Sequence, residues 1–270
     1  MTTTSASPDI ATGAAPITRK DLPVRVFRAV VAVIVVFVLT GPGGAVDLLA
    51  PVTLAFASSE AAELHRWHMI DLAAYLSLLT VGALLVVAWR PRQSVVVMQT
   101  VLLSLAGFGA LGLTTPVPGE ILVPVGIVGV LLVASFPSRR RLTRIPSLRM
   151  RSPLALLGAV AVTPYLVVNL VENVTRQVGG AGPHAELGHW AGAAAVAFGL
   201  LLTAWVATTD VGGARGLAMV VAVTLTYLAV SALVHRAYDG AWAGWGAVSA
   251  LVGALLFVAS ARRAPEGSTR

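Results

Sequence analysis

The chain has 270 residues, 57% of them hydrophobic and 11% charged, with a mean hydropathy of +0.84 and a net charge of +7. A soluble domain carries roughly 25% charged residues, so in water this chain would expose far too much apolar surface. The composition excludes a soluble globular protein and predicts an all-α integral membrane protein. The basic residues sit between apolar runs, so the phosphates they meet are lipid headgroups rather than nucleic acid. The absence of cysteine excludes disulfides, thiolate metal sites, iron–sulfur clusters and covalent haem attachment. One Lys against eighteen Arg, with abundant Ala, Val and Gly, matches GC-rich bacterial coding.

In chain order, residues 1–23 are small, polar and Pro-containing, and read as a disordered tail without the features of a signal peptide. A membrane span needs about 20 mainly apolar residues. Eight candidates follow, at 24–44, 67–89, 94–113, 120–136, 153–174, 189–209, 215–235 and 241–260. The fourth is short and carries Pro124, and Pro164 is expected to kink the fifth. Ala45–Ser58, broken by Asp47 and Pro51, reads as an interfacial or re-entrant segment. The basic stretch 137–152 divides the chain into one four-helix half, 24–136, and a second, 153–260, with a C-terminal tail over 261–270.

Threaded this way, sixteen of the nineteen basic residues fall on one side, and Arg66, Arg176 and Arg236 on the other. The positive-inside rule then places both termini in the cytoplasm of a bacterial inner-membrane protein. Trp67, Trp190, Trp242 and Trp245 mark outer helix ends, where indole prefers the headgroup level. The densest run, residues 139–151, holds six Arg and no acid. It serves either as a topogenic loop or as a contact for anionic lipid.

The halves carry a weak duplication. At an offset of 121 residues, His68, Ala73, Ala74, Leu79 and Ala83 match His189, Ala194, Ala195, Leu200 and Ala204, and Ala62-Glu63-Leu64 recurs as Ala185-Glu186-Leu187. Four spans per half give both halves one orientation, so they would be related by a pseudo-two-fold axis along the membrane normal. His68 and His189 would then share one depth. Small-residue ridges at Gly246, Ala250 and Ala254, and at Gly107, Gly109 and Gly112, suit close helix packing within the chain or between copies of it.

All five histidines fall on the outer side, which carries a charge of −5 against +12 inside. His65, His68 and Asp71 recur at intervals of three and share a helical face. Glu186 and His189 form the Glu-x-x-His step found in carboxylate metal sites. Glu172 and Asp71 lie within about a turn of the outer helix ends, where a carboxylate is costly unless paired or cation-bound. The expected site is therefore His68, Asp71, Glu172 and His189 as ligands of a divalent metal, or His68 and His189 as the two imidazoles of a b-type haem. His65, His184 and His235 read as members of an ordinary interfacial belt.

No Walker loop, His-Glu-x-x-His or Gly-x-Ser-x-Gly motif occurs, and none points to catalysis. Three function classes remain. The first is a metal- or haem-binding membrane protein. The second is a small-molecule permease with a path near Tyr165, Asn169, Gln99 and Tyr227. The third is a non-catalytic accessory subunit of a membrane complex.

Overall fold

A computed structural model describes residues 21–54, 60–180, 183–235 and 241–263, with the backbone alone at 54 and over 60–66. The chain is helical, and no strand occurs among the described residues. The helices are α1 (Leu22–Thr40), α2 (Ala50–Leu54), α3 (Glu60–Ala73), α4 (Val81–Trp89), α5 (Val95–Gly112) and α6 (Gly119–Ser135). They are followed by α7 (Pro153–Gly179), α8 (Pro183–Glu186), α9 (His189–Ala207), α10 (Ala214–Val234) and α11 (Gly244–Arg262). A π-helical segment, Ala74–Thr80, joins α3 to α4 without a break, so Trp67–Trp89 is one membrane-length rod.

Seven of these rods are long and apolar enough to cross a bilayer. The eighth, α6, has 17 residues, which at 1.5 Å per residue is about 25 Å of helix against a hydrocarbon core of about 30 Å. The multi-pass helical architecture expected from composition is what the chain adopts. Large apolar side chains such as Val33, Phe37, Val130 and Leu255 are exposed along its outside, as a lipid-facing surface requires.

Several differences from the expected boundaries have local causes. α3 is already helical at Glu60, ahead of the expected span start at Trp67. α7 runs on to Gly179, past the expected stop at 174, because the polar side chains of its last turns find partners inside the protein. Ser152 caps α7 by accepting from the Ala155 amide at 3.3 Å, with Pro153 in the first turn. The broken segment after α1 forms a short 3₁₀ turn, Asp47–Leu49, and then α2. The expected disordered tail lies, through residue 20, outside the described residues, as do 264–270 of the C-terminal tail.

Polar contacts define the two ends of the bundle. At one end, Arg28 on α1 donates to the carbonyls of Ala88 (2.9 Å) and Trp89 (3.2 Å), satisfying the last turn of α4. Phe27 packs edge-on against Phe136, with centroids 5.3 Å apart. Gln99 donates to the carbonyls of Leu142 and Arg144, and Arg151 and Arg149 pair through their backbones with Thr208 and Asp210. Arg215 reaches the Arg263 carbonyl at 2.7 Å. The arginine-rich connections thus meet at a single end. The histidine-bearing helix ends meet at the opposite one.

Within the second half, α7 packs on α9, α9 on α10, α10 on α11, and α11 back on α7. In the first half, α1, α4, α5 and α6 close in the same cyclic order. Across the seam, α5 packs on α9, and α10 packs on α4 and the π segment, while α3 lies against α9. Close approach depends on small residues: a Cβ on Gly246 would stand 2.3 Å from the Tyr165 ring, so only glycine admits the α7–α11 contact there.

Candidate metal centre

The site is built where α3, α8 and α9 meet, at the end of the bundle opposite the arginine-rich connections. His68 stands in the last two turns of α3, where Trp67, Ile70 and Ala73 bury one flank of the helix, and it is itself 5% exposed. His184 lies on the single turn of α8, and His189 opens α9. The connection between them passes through Gly188 at φ +70°, a left-handed conformation natural to glycine. A Cβ there would also come within 2.8 Å of Thr115. This tight reversal turns His184 back onto His189.

Gln177 on α7 fixes the same turn. Its side-chain amide donates to the Ala185 carbonyl at 2.8 Å, and its oxygen accepts from the Ala191 amide at 3.1 Å. One buried side chain therefore ties α8 and the first turn of α9 to α7, satisfying an N–H that the helix start would otherwise leave open.

Three imidazoles converge. The rings of His68 and His189 stack with centroids 4.4 Å apart and an interplanar angle of 25°. His184 lies 4.7 Å from His68 and 5.3 Å from His189. The Nδ1 atoms of His184 and His189 are 3.1 Å apart, a hydrogen bond in which one ring donates and the other accepts. One ligand nitrogen from each of the three rings fits within 4.8 Å of the others. Around a tetrahedral ion with metal–nitrogen bonds of about 2.0–2.1 Å, such atoms stand about 3.3 Å apart, so small rotations of the rings separate this arrangement from coordination. Trp190 walls the cluster, edge-on to His68 at 5.0 Å, and carries the Arg176 guanidinium 4.8 Å above its own ring.

The expected residues distribute unequally. His68 and His189 meet directly. Asp71 lies one turn inward on the face of His68, 2% exposed, and is not in the set of converging ligands. Glu172 is exposed and stands apart from the three rings, because the buried stripe of α7 runs through Tyr165, Asn169, Asn173 and Gln177. Glu186 is likewise exposed. The side chain of His65 lies outside the described residues, and His235 bonds the Pro51 carbonyl at 2.6 Å, away from the cluster.

His184, which by sequence falls in the interfacial belt, is the third histidine of the cluster. It sits in a Gly- and Pro-rich stretch, GGAGPHAELGH, where no helical periodicity relates it to a face. The one available signal was its five-residue spacing from His189.

The donor set fits a single metal ion: three neutral imidazoles, no thiolate, and one coordination position left for water or another ligand. It does not fit a haem bridged by His68 and His189, because their rings are in direct stacking contact and leave no slot for a macrocycle. Comparison with known protein families, with curated proteins and with solved structures finds no match.

Proposed function

We propose that this multi-pass membrane protein binds a transition-metal ion at His68, His184 and His189. The observation that carries the reading is the convergence of three imidazole nitrogens from three helices within 4.8 Å. An all-imidazole set suits zinc, copper, iron or nickel and disfavours the hard cations magnesium and calcium, which take oxygen ligands. The positive-inside distribution supports placing this end outside the cytoplasm, with both termini and the 139–151 loop inside a bacterial inner membrane. The clustering of arginines at the opposite end supports a contact there with anionic headgroups.

The cyclic packing of each half, and the crossed contacts of α5 with α9 and of α10 with α4, support reading the halves as repeats about an axis along the membrane normal. His68 and His189 are then equivalent residues meeting at the seam.

The permease reading draws on Tyr165, Asn169, Gln99 and Tyr227, of which the Tyr227 hydroxyl has no hydrogen-bond partner among the described residues. The other three, and the stripe that Tyr165 and Asn169 form with Asn173 and Gln177, already have structural work. Tyr165 accepts from the Ala243 amide, Asn173 bonds Asn169, and Gln177 holds the α8–α9 turn. Gln99 secures the basic loop at the far end. Metal binding accounts for more of the arrangement than an open path does.

The test is elemental analysis and an optical spectrum of detergent-purified protein, wild type and His68→Ala/His184→Ala/His189→Ala. Close to one metal per chain in the wild type and none in the triple variant supports the proposal. Equal metal content in both, or a Soret band in the wild type, overturns it.

A further inference from the structure

Three imidazoles bring no charge to an ion they hold, so the whole charge of the ion enters a site enclosed by helix ends. A fixed cation beside the cluster makes this worse: Arg176 sits over Trp190, which itself contacts His68. Glu172 and Glu186 are exposed, so water and salt screen them. Among the described residues, Asp71 is the only buried acid, and neither of its carboxylate oxygens has a hydrogen-bond partner among those residues. It follows His68 by three positions on α3, so both side chains project from one face, a single turn apart. An ionised carboxylate in such surroundings is strongly disfavoured unless a positive charge lies close by.

Building on the metal-binding reading above, we infer that the triad takes a divalent cation and that Asp71, held off the ligand set, is its counter-charge. A direct ligand would stand among the three nitrogens, and Asp71 does not. A structural acid would be hydrogen-bonded, and no partner is found for it among the described residues. The remaining role for a buried carboxylate one turn below a cation site is electrostatic, acting through space or through a bridging water. The π-helical segment that begins three residues after Asp71 rotates the rest of the rod relative to α3, so this face of the helix is set separately from the packing of α4.

Charge selectivity separates this role from a packing role. Coulomb energy scales with the charge of the ion, so a factor f lost by a monovalent ion on neutralising Asp71 becomes f² for a divalent one. Full-length detergent-purified protein carrying Asp71→Asn or Asp71→Ser is titrated with Zn²⁺ and with Ag⁺, beside wild type, Asp71→Glu and His189→Ala. Both neutral variants are expected to lose at least about tenfold in Zn²⁺ affinity, with the Ag⁺ loss near the square root of that factor. Asp71→Glu should keep most of the affinity. Zn²⁺ affinities within twofold of wild type in both neutral variants, or equal fold-losses for the two ions, overturn the inference. If His189→Ala loses zinc while the Asp71 variants do not, only the counter-charge role fails. If the wild type binds no zinc at all, the metal reading fails and this inference with it.

Discussion

The Nδ1 atoms of His184 and His189 stand 3.1 Å apart across a turn whose pivot, Gly188, has φ +70°. That contact depends on a backbone conformation that costs a side-chain-bearing residue about 1–3 kcal/mol, and an added Cβ would press on Thr115. Gly188→Val is therefore expected to move His184 off His189 while the membrane spans still insert. Isothermal titration should show at least a tenfold loss of zinc affinity. Unchanged affinity would mean the turn does not set the site.

Gln177 makes the second test of the same scaffold. Gln177→Leu removes the bonds to Ala185 and Ala191 and leaves buried backbone groups unsatisfied, at a cost of about 1–3 kcal/mol each. A lowered thermal midpoint together with weakened metal binding is expected. A lowered midpoint with wild-type affinity would assign Gln177 to the helix bundle alone.

Packing between α7 and α11 is tested at Gly246, in the first turn of α11 and on none of the three helices that carry the triad. Gly246→Val places methyl groups where the Tyr165 ring lies, with Trp242 and Trp245 on the other sides of that ring. Overpacking of this kind costs roughly 1–3 kcal/mol. Thermal unfolding in detergent should report the loss. The metal content of the folded fraction should stay near that of the wild type.

Orientation is tested by reporter fusions. A fusion within 141–149 should report the cytoplasm, and one within 178–184 the opposite side. The exchanged result, 141–149 outside and 178–184 in the cytoplasm, would mean that α6, the 17-residue helix, does not cross, and both on one side would mean that α7 does not.

The spans were legible because a bilayer demands about 20 mainly apolar residues in a row, and stretches such as 189–209 or 215–235 supply them. The π segment was not legible: Ala74–Thr80 has the same apolar character as an α-helical stretch, and its register is fixed by tertiary contacts, including Ser77 donating to the Gly43 carbonyl at 2.8 Å. The weak duplication put His68 and His189 at one expected depth, and their rings stack with centroids 4.4 Å apart. His184 escaped because a loop residue is placed by turn geometry, which here rests on one left-handed glycine. Glu172 illustrates the converse error. Depth along a helix was inferred from sequence, but its direction depends on which stripe of α7 turns inward, and Asn173 rather than Glu172 lies on it.

The central claim, coordination by three imidazoles, is tested most directly by X-ray absorption at the zinc edge on zinc-loaded, detergent-purified protein. The account predicts about three imidazole nitrogens at about 2.0–2.1 Å with one further light atom, and loss of the imidazole scattering in His184→Ala/His189→Ala. A first shell of oxygen alone, or an imidazole signal unchanged in the double variant, would contradict it.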